Sequence, residues 1–471
     1  MMKNDVSDEL RAIVRPEQAL VDPVEIACYA YDATHFTHHP DIVLFPASAA
    51  EVSAIMKVAN RERIPVVPRG AGTSITGGAV PVAGGIVLCS NRLNRILEID
   101  TENLTAVVEP GVVLGQFQAT VENMGLFYPP DPASLSVSTL GGNVAENAGG
   151  PRGVKYGSTK DYVLGLEVVL ADGTVLHTGS RTMKTASGYD LTHLFVGSEG
   201  TLGFVTKITV RLLPLPEARQ TTLAIFDRLE DAAATVSAII AAKVLPTTLE
   251  LMDDIVIDRL EAYKRAGLPR DATAVLLIEV DGSERGVARQ LELVAEIARR
   301  GGAREVKVAR TAAEADALWV SRRGAFAAMA RSRPTIMVED ATVGRDHIPE
   351  MVATIKRLSH EYDVQVGILA HAGDGNMHPL IMTDLRDAAE MQRVERFTTE
   401  LFKAALAMGG TLSGEHGIGN LKKQYMSWQH GALGVEMMRQ LKAAFDPNGI
   451  LNPGKVLPDR DDDGSAGGLL G

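Results

Sequence analysis

The sequence predicts an α+β protein of more than one domain, and three observations carry that reading. The chain has 471 residues, more than a single hydrophobic core ordinarily serves. Up to about residue 215 it consists of short apolar runs separated by glycine-rich turns. Beyond that point long amphipathic stretches alternate with apolar runs, the texture of an antiparallel sheet with helices covering one face.

In order along the chain, residues 1–45 are mixed and partly helical in pattern. Ala49 to Arg61 has helical periodicity, and Ile64 to Pro68 is a short strand. A glycine run from Arg69 to Gly78 precedes the strand Ile86–Leu88. Strands Thr105–Val108 and Val163–Leu170 follow, the latter ending at the turn Asp172-Gly173, and Pro214 and Pro216 close the region. Strands Thr222–Phe226, Thr248–Met252 and Ala274–Val280 then alternate with helices Asp231–Val244, Asp254–Arg265 and Arg285–Arg300. The residues past Pro458 are acidic and glycine-rich, so a disordered tail is expected over 459–471.

Composition narrows the function classes. A net charge of -12 disfavours non-specific binding to nucleic acid. No run of 18 apolar residues occurs, so no transmembrane helix is expected. The start, Met1-Met2-Lys3-Asn4-Asp5, lacks an apolar signal core, and a cytoplasmic location is expected. Cys28 and Cys89 are the only cysteines; two reduced thiols are expected, and they are too few to ligate an iron–sulfur cluster.

Four glycine-bearing stretches crowd the first half: Arg69–Gly78, Thr139–Asn143, Asn147–Gly150 and Gly197–Gly203. Glycine lets backbone N–H groups converge on an anion, so several such loops suit a cofactor that carries a pyrophosphate. Singly, each reads as an ordinary loop of a β-rich domain. The Rossmann fingerprint is missing, because Gly70-x-Gly72 runs on to Ile75 where a third glycine would stand, and there is no P-loop.

The most informative stretch is His371-Ala-Gly-Asp-Gly-Asn-Met-His378, set between the apolar runs Val364–Ala370 and Leu380–Met382. Asp374-Gly375 predicts a reversal that brings the two histidines together at one end of a sheet. Further on, Ser413–Gly419 carries Glu415 and His416. Two imidazoles, a carboxylate and another histidine make up the inventory of a catalytic divalent-metal site with a neighbouring base. The plainer alternative is two satisfied histidines beside an Asp-Gly-Asn turn.

Together with Pro68-Arg69-Gly70-Ala71-Gly72-Thr73, Pro130-Asp131-Pro132, Gly141-Gly142-Asn143, Gly414–Gly417, Asp446-Pro447 and Asn452-Pro453-Gly454-Lys455, these motifs carry a resemblance from about Pro40 to Leu457. The chain resembles the FAD-linked 2-hydroxy acid dehydrogenases of the vanillyl-alcohol-oxidase superfamily. That group includes the catalytic D subunit of glycolate oxidase, FAD-dependent D-lactate dehydrogenase and D-2-hydroxyglutarate dehydrogenase. The resemblance implies a two-lobed FAD-binding domain of the PCMH type over 1–216. It implies a ferredoxin-like antiparallel-sheet substrate domain with covering helices over 217–425, and a segment over 426–458 returning to the first domain.

It also implies site residues. Pro68, Arg69, Gly70, Ala71, Gly72, Thr73 and Ser74 would wrap the FAD pyrophosphate. Pro130, Asp131, Gly141, Gly142, Asn143, Gly149, Gly150 and Gly157 would line more of the cofactor, with Glu199, Gly200, Gly203, Val205 and Asn452. Thr73 stands where some relatives carry a histidine bonded to the flavin, so the FAD is expected to be noncovalent. His371, His378 and Glu415 would hold a divalent metal, zinc first, with manganese or iron as alternatives. His416 would be the base. Arg322 would grip a substrate carboxylate with its planar fork; its neighbour Arg323 or a merely solvated helix charge are the alternatives. Val338 replaces a substrate-contacting lysine of some relatives, and Leu380 a polar contact of the hydroxyglutarate enzymes, which favours a small or apolar 2-hydroxy acid.

The implied reaction is oxidation of glycolate or D-lactate to the 2-oxo acid, with hydride passing to flavin N5. Electrons would leave to a quinone, a cytochrome or an iron–sulfur partner subunit. Companion subunits would place the protein at the periphery of the inner membrane, and a homodimer is the default assembly. The alternatives are a metal-dependent hydrolase using the same histidines and glutamate, a noncatalytic flavin-binding subunit, and a D-2-hydroxyglutarate dehydrogenase.

Overall fold

The first half of the chain builds two main sheets, and the core under the first also takes in Val169 and Phe204 of the second. In the computed structural model, which describes residues 2–265 and 267–459, a four-stranded sheet runs Ala19–Leu20, Ile42–Leu44, Ile86–Cys89, Val66–Arg69 in space. The last three strands are mutually parallel, which requires a crossover between them. Helix Ala49–Glu62 supplies it. Ser48 caps its N-terminus by accepting the Glu51 N–H, and Arg63 ends it in the left-handed region at φ 54°. Its face of Val52, Ile55, Met56 and Ala59 packs on Ile42, Leu44, Val66, Ile86 and Leu88, all fully buried.

The second sheet is antiparallel, in the order Ile96–Asp100, Thr105–Val108, Phe204–Arg211, Val163–Val169, Val175–Gly179. These two sheets are the two lobes of one compact unit, formed by residues 2–148, 158–215 and 415–459.

The other unit comprises residues 149–157 and 216–414. Its eight-stranded sheet runs Ala303–Val308, Ala218–Phe226, Ala274–Gly282, Thr248–Asp253, Gln365–His371, Asn376–Thr383, Thr335–Val338, with Ala341–Thr342 also pairing to Asn376–Thr383. Ala218–Phe226 and Thr248–Asp253 flank Ala274–Gly282, the split arrangement of a ferredoxin-like core.

Helices cover both faces of this sheet, not one. Helices Asp254–Lys264, Ala312–Arg323 and Ala325–Ala330 share a core with Leu223, Met252, Leu277, Leu369 and Leu380. The alternate strand positions, such as Ala224, Leu276, Leu251 and Ala370, are equally buried. Helices Leu229–Ala241 and Glu284–Arg300 pack on these strands as well. The physical sign is in the strands, which read as unbroken apolar runs, whereas a sheet with one wet face alternates.

The crossings also differ from the expected boundaries. The chain rejoins the first unit at Glu415, earlier than 426, because the Ile418 and Gly419 amides bond to the Glu199 carboxylate. Residues 149–157 belong to the second unit, where Lys155 pairs with Asp281 and Tyr156 Oη donates to it at 2.9 Å. Cys28 and Cys89 are free thiols, the first exposed and the second buried. The expected disordered tail lies, from residue 460 on, outside the described residues.

Candidate active site

Two constellations form, one in each unit. In the first unit the strand Val66–Arg69 runs into the loop Gly70–Ser74. That loop meets the start of the short helix Leu140–Glu146, where Thr139 caps by accepting the Gly142 N–H. The approach is close: a Cβ on Gly70 would lie 2.4 Å from the Thr139 hydroxyl oxygen. Pro68–Ser74 and Gly141–Asn143 therefore come together as the sequence suggests. Arg69 is buried, with its guanidinium 5.7 Å from the Tyr29 ring centre and donating to the Ala79 carbonyl.

The remaining sequence-predicted residues divide. Asn452 Nδ2 donates to the carbonyls of Gly78 and Glu199, stapling the returning segment to this cradle. Gly203 packs against Val168, and Val205 is a ladder residue opposite Val168. The Pro130 carbonyl accepts from Gln118 Nε2 at 2.7 Å, which fixes Pro130 against the helix Leu114–Glu122. Gly149, Gly150 and Gly157 lie in the second unit.

In the second unit the reversal at Asp374-Gly375 is present, with Gly375 at φ +86° and His371 opposite Asn376. It stacks the His371 and His378 rings edge to face, centres 4.8 Å apart. Both side chains are buried, and a ring nitrogen of each lies within 4.8 Å of the other, a donor set that fits one shared cation.

Glu250, one strand over and in register with His371, holds the pair in place. Its Oε1 is 2.7 Å from His371 Nδ1. Its Oε2 accepts from Arg322 Nε at 2.6 Å and Nη2 at 2.5 Å. With Nδ1 donating to the carboxylate, Nε2 of His371 is the nitrogen that can ligate a metal. Burial alone would raise the Glu250 pKa, but Arg322 and His371 outweigh it and hold the group below the usual carboxylate value.

Arg322 is buried at 5% exposure while Arg323 is exposed, which settles which arginine faces this site. Asp340 is fully buried and 3.9 Å from His378 Nδ1. Its Oδ2 accepts from Ser413 Oγ at 2.6 Å and from the Gly414 N–H at 2.8 Å. Glu415 and His416 follow Gly414 directly in the chain, and the His416 carbonyl accepts from Thr76 Oγ1 in the first unit.

Sequence reasoning missed Glu250, Asp340 and Thr139. Glu250 had a readable signal, a lone carboxylate inside the apolar strand Thr248–Met252. Thr139 had one too, as an N-cap residue before Leu140. Asp340 had none, because its role depends on a distant loop.

The loop–helix contact of the first unit falls within an FAD binding domain and the histidine pair of the second within an FAD linked oxidase domain, which makes this a flavoprotein oxidoreductase. The FAD binding domain family matches residues 40–179, and the C-terminal domain of FAD linked oxidases matches residues 215–456. The chain belongs to the FAD-linked oxidases. It is 48% identical over 458 residues to the glycolate oxidase subunit GlcD of Bacillus subtilis, covering 97% of each chain. The glycolate oxidase subunit GlcD of Escherichia coli is 41% identical over 92% of this chain and 87% of its own. A D-lactate dehydrogenase of Archaeoglobus fulgidus is 40% identical over 88% of this chain and 91% of its own. The fold is shared with p-cresol methylhydroxylase, solved with substrate bound, at a TM-score of 0.79, 20% identity and 98% coverage of both chains.

Proposed function

We propose that this protein oxidises glycolate or D-lactate to the corresponding 2-oxo acid, using noncovalent FAD and a divalent metal. The observation that carries the choice of substrate is the pairing of Val338 opposite Leu380 in the ladder beside His378. Leu380 is buried in the apolar core of the second unit, and Val338, partly buried, packs against it. A second substrate carboxylate placed there would lose its hydration with no partner. A short 2-hydroxy acid has nothing to lose there.

His371, His378 and Glu415 would hold the metal, and the imidazole–carboxylate set suits zinc, manganese or iron. When bound, the metal would supply Lewis acidity and the flavin would supply the two-electron acceptor. Arg322 would meet the substrate carboxylate with its Nη1 edge, since Glu250 takes Nε and Nη2. His416 would take the hydroxyl proton. Pro68–Ser74 and Gly141–Asn143 would seat the FAD, and Thr73 offers no imidazole for a covalent bond. A metallohydrolase has no use for such a cradle.

Electrons would leave to a quinone, a cytochrome or an iron–sulfur companion subunit. Among the described residues no helix is long and apolar enough to cross a membrane. A cytoplasmic protein held at the membrane by companion subunits fits that, and a homodimer is the simplest assembly of the chain alone.

The test is the anaerobic absorbance spectrum of the FAD-loaded protein with glycolate, D-lactate, L-lactate and D-2-hydroxyglutarate in turn. Bleaching by glycolate or D-lactate is expected. Bleaching by D-2-hydroxyglutarate alone would overturn the substrate reading. Metal analysis of His371→Ala should show the bound metal lost while FAD content stays near one per chain.

A further inference from the structure

We infer that the Glu199 carboxylate is a positioning residue for His416, clamping the backbone that follows this histidine. The inference rests on the proposed role of His416 as base, and it moves Glu199 away from the cofactor contact that its motif suggests.

The geometry lies wholly within the first unit. Glu199 is buried, with its backbone at φ +50°. Its N–H donates to the Ala145 carbonyl and its own carbonyl accepts from Asn452 Nδ2. Anchored at both ends, it aims its side chain at the loop after His416. Oε1 accepts the Ile418 N–H at 2.7 Å, and Oε2 accepts the Gly419 N–H at 2.8 Å. Gly417 and Gly419 lie in the left-handed region, at φ +81° and +53°. Successive amides of such a loop converge into an anion-binding nest, here filled by the protein's own carboxylate.

Glu146 closes the other side. A Cβ on Gly417 would lie 2.2 Å from Glu146 Oε2 and 3.0 Å from Glu199 Oε1, so the bare backbone of Gly417 sits against both carboxylates. The positive φ and the missing space both demand glycine here. Two carboxylates so close cannot both be charged cheaply. Burial and then the charge of Glu199 hold Glu146 well above the usual range; burial also pushes Glu199 up to about 7, against the Ile418 and Gly419 amides, which favour its anion.

The loop has further anchors. The Asn420 and Leu421 amides donate to the Thr76 carbonyl, and the Val456 amide donates to the Gly419 carbonyl. These hold the segment from Gly419 onward, and the Thr76 hydroxyl donates to the His416 carbonyl at 3.3 Å on the other side. Glu199 is what fixes the two amides between those anchors and His416. A histidine on a loop released by even an ångström would lose the alignment that proton transfer requires.

The experiment uses the full-length, FAD-loaded Glu199→Gln variant. An amide side chain can accept one of the two N–H groups but turns a donor toward the other. Hydrogen–deuterium exchange at the Ile418 and Gly419 amides is expected to rise about 10-fold or more. Flavin reduction by glycolate or D-lactate is expected to slow by about 30- to 100-fold. Substrate Kd and FAD content should stay within about threefold of the parent, a split between rate and binding that general loosening would not give.

Unchanged exchange would overturn the clamp. Loss of FAD with an unchanged reduction rate per bound flavin would overturn it in favour of a cofactor contact. If neither acid reduces the parent's flavin, the substrate reading fails, and the exchange measurement still decides the clamp. Should Glu199→Gln not fold, Gly417→Ala breaks the same contact from the loop side and should give the same exchange signature; normal exchange there overturns the inference.

Discussion

The two units each bury a glutamate beside the proposed chemistry, and the two behave oppositely. Glu250 lies between a guanidinium and an imidazole, and its pKa falls despite full burial. Glu199 hydrogen-bonds to two backbone amides beside another carboxylate, and burial pushes its pKa up to about 7 against those amides and the charges of Lys455 and Lys422. The side chain is the same and both are buried, so the difference comes from the partners. Dipoles of amides hold an anion in position but offset less of its lost hydration than a full opposite charge in direct contact does. One glutamate is suited to orient a metal ligand at fixed charge; the other holds a loop while its charge remains titratable.

The largest way to break this comparison is to delete Glu250. Glu250→Ala leaves Arg322 buried without its counter-ion, and a loss of about 3–5 kcal/mol is expected in denaturant unfolding. Replacing both partners, Glu250→Leu with Arg322→Met, should recover most of that loss, because neither charge is then stranded. If the single variant is as stable as the parent, the pair is not the buried anchor inferred from its geometry.

The pH dependence sharpens it. Between the ordinary value of 4.5 and about 7, native Glu199 binds more proton than the unfolded chain. Stability from this site is therefore full below 4.5 and falls as pH rises toward 7, by on the order of 3 kcal/mol. The melting temperature of the parent relative to Glu199→Gln should drop between pH 5 and pH 8. Glu250 has the opposite sign: its contribution is full above 4.5 and is lost as pH falls through its lowered value. The parent relative to Glu250→Gln should therefore lose stability on the acid side only. Parallel pH curves for the two pairs would remove the distinction.

The smallest effect compares two glycines. Gly417→Ala forces a side chain into the carboxylate pair, and Gly375→Ala places one 2.1 Å from the Val343 carbonyl. Both positions have positive φ. About 1–3 kcal/mol is expected for each. Gly417→Ala should impair flavin reduction, whereas Gly375→Ala, at the histidine reversal, should lower metal content.

Much of this was legible in the sequence. Asp374-Gly375 between two apolar runs specifies a hairpin by local turn chemistry, and that alone brings His371 and His378 together. The glycine loops at Arg69–Gly78 and Thr139–Asn143 stand out for the same local reason, and Gly70 lies close against Thr139 and Gly142. Helix Ala49–Glu62 and the strands near Thr248 and Ala274 follow from periodicity and a serine cap. What the sequence could not determine was which charges meet. Glu250 reaches His371 across a ladder spanning 121 positions, and Glu199 reaches Ile418 across 219. Sheet order and loop return decide those meetings, and they come from packing the whole core rather than from any local run. The same reason put Gly149–Gly157 with the second unit and covered both faces of its sheet. Local torsional preferences are written residue by residue, but a buried charge takes its pKa and its role from neighbours that only the folded chain supplies.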